Sequence, residues 1–377
     1  MSKIIVLGAG MVGSTMAIDL AKKHLVTITD FNKNALDRAV QKCSALIPVT
    51  LDVTNTKALQ KAIQPFDLVI CAVPGFLGYE TLTAIIEAKK NVIDISFFPE
   101  NSLDLHELAK EKNVTAIVDC GVAPGMGNII AGYYNEHLKL TDFECLVGGL
   151  PKVKKWPFSY KAPFSPIDVI EEYTRPARYV ENGHLVVKEA LSDCEFVDFD
   201  GVGTLESFNS DGLRSLIFTL PHIKNMKEKT LRYPDHIEYI KVLKSSGFFS
   251  EEKITISGVE VSPLDFTSKI LFNEWKLEET EEEITVMRIT LKGANNKGEQ
   301  KTVVYNLHDE YCSKTNTSSM ARTTGYTATA AANLFLDGLF VEKGVFPPEL
   351  VGKHEECFHY VLKYLENRNV LYTKEEL

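Results

Sequence analysis

Lys3-Ile4-Ile5-Val6-Leu7-Gly8-Ala9-Gly10-Met11-Val12-Gly13 opens the chain, and its reading decides the fold. Lys3–Leu7 is a short β-branched run, apolar after its first residue, as a strand buried on both faces of a parallel sheet requires. Gly8, Gly10 and Gly13 then form a G-x-G-x-x-G, with Met11 and Val12 between the last two. A helical pattern runs from Met11 to Lys23, and a second strand, Leu25–Thr29, leads into Asp30. The acid stands about 20 residues beyond the second glycine, which is the context a dinucleotide site needs. Gly8 allows the tight turn, Gly10 lets a pyrophosphate approach the helix N-terminus, and Gly13 lets helix and strand pack closely. A carboxylate at Asp30 accepts the ribose hydroxyls and repels a 2′-phosphate, and no arginine follows until Arg38. NAD is therefore favoured, and NADP remains possible through Lys33; a flavin dinucleotide enzyme would share the fingerprint.

Working outward, strands and helices alternate. Strands are expected at Leu46–Leu51, Asp67–Val73, Asn91–Ile95 and Thr115–Asp119. Helices are expected at Lys33–Lys42, Thr56–Ile63, Gly78–Lys89 and Leu103–Lys112. This order predicts an α/β domain, a Rossmann parallel sheet with right-handed crossovers. In such a sheet Asp52 and Val53 flank the adenine, while Cys71, Ala72, Val73 and Pro74 end the fourth strand on the nicotinamide side.

After Gly125 the pattern changes. A helix over Met126–His137 precedes a half-buried strand at Phe143–Leu150, and helices are expected near Ile167–Glu172, Asp211–Leu220 and His236–Ser246. Ile284–Lys292 and Gln300–Leu307 flank Gly293–Gly298 as an antiparallel hairpin. The acidic run Glu278–Glu283 reads as a solvated loop or strand edge. An α+β substrate domain with a mixed or antiparallel sheet is expected, offering a surface for a homodimer or higher homo-oligomer. The Ala-rich helix Thr324–Leu339, a turn at Val345–Pro348 and a helix over Pro348–Leu365 are expected to return to the first domain. The first domain would then span residues 1–122 and about 322–377, and the second 123–321.

Composition excludes other classes. The 377 residues carry a net charge of −10, which lacks the positive field that nucleic acid or an anionic membrane surface demands. Seven widely spaced cysteines without a Cys-x-x-Cys pair argue against a disulfide framework and a zinc site; no metal is expected, and a cytoplasmic location is.

Several blocks extend the reading. They are the N-terminal fingerprint, Asp119-Cys-Gly-Val-Ala-Pro-Gly-Met-Gly-Asn128, Glu206-Ser-Phe-Asn-Ser-Asp-Gly-Leu-Arg214, Glu228-Lys-Thr-Leu-Arg-Tyr-Pro-Asp-His236 and Ala321-Arg-Thr-Thr-Gly-Tyr326. On these the whole chain resembles the saccharopine dehydrogenase / lysine 6-dehydrogenase family, most nearly its short lysine dehydrogenases. Where fungal saccharopine reductases carry Asp before Pro-Gly, this chain has Ala123, which turns the expectation toward lysine. The resemblance implies an NAD(P)-dependent oxidoreductase acting on the CH–NH group of an amino acid, most nearly a lysine 6-dehydrogenase. Hydride leaves the amine-bearing carbon, and the imine is hydrolysed. A saccharopine dehydrogenase is the alternative, and a non-catalytic dinucleotide-binding regulatory protein is the alternative of another class. A non-redox enzyme with tightly held NAD is a further option.

Such chemistry needs a carboxylate partner and an acid–base group. Arg232, with Tyr233 beside it, is the leading clamp, and Arg214 and Arg322 are weaker ones. Asp94 and Asp119 end predicted strands and so point toward the cleft; Cys120 adjoins Asp119. His222 and His236 titrate in the right range but rank lower. The Pro- and aromatic-rich segment Trp156–Pro166 lines a substrate pocket through Tyr160 and Ser165, or else packs domains or subunits together.

Overall fold

The computed structural model describes residues 1–164, 166–278 and 281–377. Ser165 and part of the acidic run at 278–283 thus lie outside the described residues. The opening apolar run forms β1 (Lys3–Leu7), followed by α1 (Met11–Leu20), β2 (Leu25–Asp30), α2 (Lys33–Lys42), β3 (Ile47–Thr50) and α3 (Thr56–Ile63). The alternation continues through β4 (Leu68–Cys71), α4 (Gly75–Glu87), β5 (Val92–Asp94), α5 (His106–Glu111) and β6 (Thr115–Ile117). These strands pair in parallel, with β2 and β3 on one side of β1 and β4, β5 and β6 on the other. The order reverses between β1 and β4, and a ligand crevice opens at that point beyond the strand C-termini.

The chain continues as α6 (Met126–His137), β7 (Lys139–Pro151), α7 (Pro166–Thr174), β8 (Ala177–Glu181), β9 (His184–Lys188), β10 (Glu195–Phe199) and β11 (Gly203–Asn209). Then come α8 (Leu216–Thr219), β12 (Asn225–Arg232), α9 (His236–Ser245), β13 (Ile254–Ile256), β14 (Val259–Val261) and α10 (Pro263–Trp275). The last part holds β15 (Glu283–Ala294), β16 (Gln300–Glu310), α11 (Ser319–Leu336), β17 (Gly344–Phe346), α12 (Pro348–Gly352), α13 (Glu355–Glu366) and β18 (Tyr372–Glu376). Among the described residues the second sheet is mixed, in the order β10-β11-β12-β7-β15-β16-β18, with β8 on β12 and β9 on β8. β12 runs parallel to β7, and the expected β15–β16 hairpin is antiparallel from Ile284↔Glu310 to Ala294↔Gln300.

The C-terminal segment divides between the two sheets. The stretch expected to turn at Val345 is instead β17, which adds in parallel to β6 and completes a seven-stranded sheet among the described residues. β18 joins the other sheet by pairing with β16. The helix expected over Pro348–Leu365 breaks into α12 and α13, and the one expected over Asp211–Leu220 shrinks to α8. The latter starts only after Arg214, whose φ of +51° is incompatible with a continuous right-handed helix, while Asp211 accepts both the backbone N–H and the guanidinium of Arg178. α11 is buried along most of its length and crosses α1, where Gly325 faces Thr15 and Met16. Buried Asp19 of α1 ties this junction, accepting from Thr329, Tyr364 and Arg368. No helix among the described residues is long and apolar enough to cross a membrane.

Candidate active site

A cavity of about 1200 Å³ runs from the Gly8–Gly13 loop to the strands β7 and β12 of the second sheet. Its first half is built by local sequence. Gly8 turns with φ +106°, and a Cβ there would lie 2.4 Å from the Ala72 carbonyl oxygen. A Cβ on Gly13 would lie 2.1 Å from the Gly8 oxygen, whereas one on Gly10 would meet nothing within 4 Å. The first two glycines thus let helix and strand touch, and the third leaves the N-terminus of α1 open. With no side chain capping it, that end presents free N–H groups and the positive end of the helix dipole. These residues fit a dinucleotide pyrophosphate. Gly13→Ala is expected to push α1 off β1, costing about 1–3 kcal/mol and at least tenfold in dinucleotide affinity. Urea unfolding and a fluorescence titration with NADH would check both; wild-type values would refute the packing argument.

Asp30 braces the loop, its two oxygens accepting from the N–H groups of Ala9 and Asn32 at 2.8 Å each. Met11, Val12, Asp52, Val53, Ala72, Val73 and Pro74 line the cavity, while Cys71 is buried beneath it against Ser96. Thr54 donates twice to Asp52 and holds its carboxyl below the ordinary range. Ala35, Arg38, Ala39 and Lys42, on one face of α2, also line this half. Their i, i+3, i+4, i+7 spacing was present in the sequence, yet counting distance along the chain hid that two cations share the Asp30 side.

The second half is assembled from distant segments. Asp119, with φ +52°, binds Arg214 through two contacts of 3.0 and 3.3 Å. Asp119 faces the cavity; Arg214 lies behind it, also donating to the Phe98 carbonyl. Asp94 is fully buried and does not line the cavity; it accepts from Ser96, and burial, reinforced by Asp119, pushes it up to about 7. Cys120 also lies off the cavity, its thiol turned toward the Thr327 carbonyl and raised to about 12 by burial and then by Asp119.

Arg232 lines the cavity from the end of β12, with its fork already engaged. Nη2 binds Glu172 at 2.7 Å and Tyr160 at 3.4 Å, and Nε donates to Tyr173 at 3.1 Å. Tyr160 therefore supports Arg232 from a buried aromatic cluster with Trp275 and His236. Tyr233 points away and donates to the Pro151 carbonyl. His236 bonds Tyr173 and the Phe158 carbonyl, and burial, then Arg232, drives it down to about 3. His222 bonds Asn135 in an exposed position, and Arg322 is committed to Asp309. Within the segment Trp156–Pro166, Trp156 is 84% exposed, while Ala162 and Phe164 line the cavity.

Two residues that sequence reasoning missed stand out here. Arg175 lines the cavity beside Phe97 and pairs with Glu171, but its buried Nη1 has no hydrogen-bond partner among the described residues. An arginine with a spare donor is a candidate carboxylate clamp. Glu228, four residues before Arg232 and on the same face of β12, lines the cavity together with Thr230. Period-two alternation along 228, 230 and 232 was the available signal. Carboxylates also converge from Asp168, Glu171, Glu172 and Asp211.

Residues 4–117 match the model of the saccharopine dehydrogenase NADP binding domain, and residues 121–370 that of the saccharopine dehydrogenase C-terminal domain. Saccharopine dehydrogenase [NADP(+), L-glutamate-forming] of Pyricularia oryzae is 26% identical over 218 residues, covering 55% of this chain and 48% of that protein. The chain thus spans about half the length of that relative. Carboxynorspermidine synthase of Vibrio alginolyticus is 25% identical over 345 residues, 84% of this chain and 80% of that protein. The fold resembles apo saccharopine dehydrogenase (L-Glu forming) from Saccharomyces cerevisiae, with a TM-score of 0.80 at 19% identity over 100% of both chains.

Proposed function

Because this chain belongs to the saccharopine dehydrogenase family, we propose that it is an NAD(P)-dependent oxidoreductase acting on a C–N bond of an amino acid. The observation that carries the proposal is the single cavity joining an open helix N-terminus at Gly10 to a wall of paired arginines and carboxylates. Gly8–Gly13 and Asp30 would hold the dinucleotide, whose nicotinamide supplies hydride chemistry when bound. Arg175, with its spare donor, would receive the substrate carboxylate, and Arg232, held by Glu172 and two tyrosines, would add positive charge to the wall behind it. Asp119 would form part of the wall, fixed by Arg214. The surplus of acids on this half suits a substrate carrying an amine besides the one oxidised, so L-lysine is the first candidate. Saccharopine is the second reading, supported by the family match and by two arginines in the cavity wall.

A panel of L-lysine, saccharopine and carboxynorspermidine, each with NAD or NADP, tests the proposal through the absorbance of the reduced cofactor. Reduction with at least one amine is expected. Tight dinucleotide binding with no turnover of any would favour a regulatory binding protein instead.

Cofactor choice follows from α2. Asp30 favours NAD, while Arg38 and Lys42 on the same side would attract a 2′-phosphate. Replacing both cations by Ala is expected to weaken NADP binding about tenfold or more and to leave NAD within about twofold. Equal losses for both dinucleotides would refute that placement.

A further inference from the structure

We propose that Glu228 is the group that takes the proton from the substrate amine; this rests on the reading of the cavity as a C–N oxidoreductase site. For hydride to leave the amine-bearing carbon the nitrogen must first be neutral, so a base has to stand at the cavity wall. Glu228 meets the geometric requirement. Its side chain is on the cavity face of β12, 5% exposed, and its carboxyl makes no hydrogen bond or ion pair among the described residues. The backbone of Gly212 lies directly against it: a Cβ on Gly212 would stand 1.7 Å from Oε1. Any other residue at 212 would therefore displace the carboxyl.

The remaining acids of this half are occupied. Asp119 holds Arg214, Glu171 holds Arg175, Glu172 holds Arg232 and Asp211 holds Arg178. Asp168 also has an interaction partner, although its buried Oδ1 makes no hydrogen bond among the described residues. Asp94 and Cys120 do not reach the cavity. Glu278 and Glu281 hold Lys276 and Lys155, whereas Glu228 presents to the cavity a carboxyl with no ion pair or hydrogen bond on either oxygen among the described residues.

The surroundings give it the required basicity. Burial pushes it up to about 8, and Glu172, Asp211 and Asp119 add to that, against Arg214. From β7 its neighbour in register is Cys145, and Tyr179 donates to its backbone oxygen. Arg232 is committed to Glu172 at the far end of the strand. A carboxylate of ordinary strength is outmatched by an alkylamine of pKa about 10.4 by roughly six orders of magnitude; here the gap narrows to two or three.

The step balances. An N–H bond of the substrate ammonium breaks and its proton goes to Glu228 Oε, leaving the electron pair on nitrogen. The C–H bond then breaks with its electron pair leaving as hydride to the nicotinamide dinucleotide, and the nitrogen pair closes a C=N bond. Substrate is oxidised, dinucleotide is reduced, and water later hydrolyses the imine.

Glu228→Gln and Glu228→Asp, compared with wild type on the amine found active in the panel, test the assignment. In wild type kcat/KM for oxidation should rise with pH through about 8, as the base loses its proton. Glu228→Gln should lower kcat at least about 100-fold and abolish that limb, with dinucleotide Kd within about twofold of wild type. Glu228→Asp should keep the limb with an intermediate rate. Wild-type turnover and pH profile in Glu228→Gln would overturn this assignment alone. Absence of amine oxidation by wild type with dinucleotide bound would overturn the parent reading and this one with it.

Discussion

Arg214→Ala should destabilise the protein by about 3–5 kcal/mol, because it strands a buried carboxylate. Asp119 lies two residues beyond the end of β6 and is almost wholly buried, and Arg214 supplies both of its guanidinium contacts. The same guanidinium donates to the Phe98 carbonyl and lies 4.9 Å from the Phe97 ring centroid. Truncation therefore removes a charge pair, a backbone acceptor's partner and a cation–π contact together. Asp119→Asn combined with Arg214→Ala should cost less than the two single changes added, since the neutral amide no longer needs the cation. Urea unfolding of the four proteins closes the cycle. A loss below about 1 kcal/mol for Arg214→Ala would show the pair to be dispensable. The pair also bridges the parallel sheet to the loop after β11, so the surviving variant should turn over substrate more slowly.

The dependence of stability on pH should run opposite to that of a protein dominated by surface carboxylates. Burial is the largest cause in each of three raised carboxyls: Asp94 and Glu283 at about 7 and Glu228 at about 8. For each, the folded pKa exceeds the unfolded one of about 4, so between those values the folded chain holds a proton the unfolded chain has lost. Stability is then greatest near the lower value and declines as pH rises toward 8. Each tenfold change in proton affinity is worth about 1.4 kcal/mol, so the fall between pH 5 and 8 should be plainly measurable. Asp19 acts on the other side: its carboxyl is held low by Arg368, Tyr364 and Thr329 against burial. Its contribution is present above about pH 4 and is lost as pH falls through its lowered value. Unfolding free energies measured from pH 3 to 9 should peak near pH 5, and Asp94→Asn should flatten the alkaline fall. A curve that is level or rises between pH 5 and 8 would contradict the burial argument.

Which parts of the site were legible follows from how far apart its residues lie in the chain. Lys3–Leu7, the three glycines and Asp30 were readable because the dinucleotide half is made within one β-α-β unit. Each residue there has a conformational or charge requirement met by near neighbours: Gly13 against Gly8, Asp30 against Ala9. Arg38 and Lys42 needed only the helical period to be seen beside Asp30. The substrate half was less legible, because its wall comes from segments between Phe97 and Thr324. Asp94 and Asp119 looked equivalent as strand-end acids. One is buried beneath the cavity against Ser96, and the other faces it in the grip of Arg214. Sequence also chose Arg232 and passed over Glu228 on the same strand face, since an unpaired carboxyl is recognisable only when its neighbours' partners are known. The strands β9 and β10 were missed for a related reason: much of their surface is exposed, so their apolar alternation is weak.

By itself, then, the sequence determined the parallel nucleotide-binding sheet, the glycine turn and the existence of a second α+β part, all of which rest on local periodicity and backbone freedom. Only the tertiary structure decided the return of β17 to the first sheet, the pairing of each arginine with its acid and the exposure of Glu228 to the cavity. Those depend on burial and on charges brought together from remote parts of the chain, and both exist only once the chain has folded.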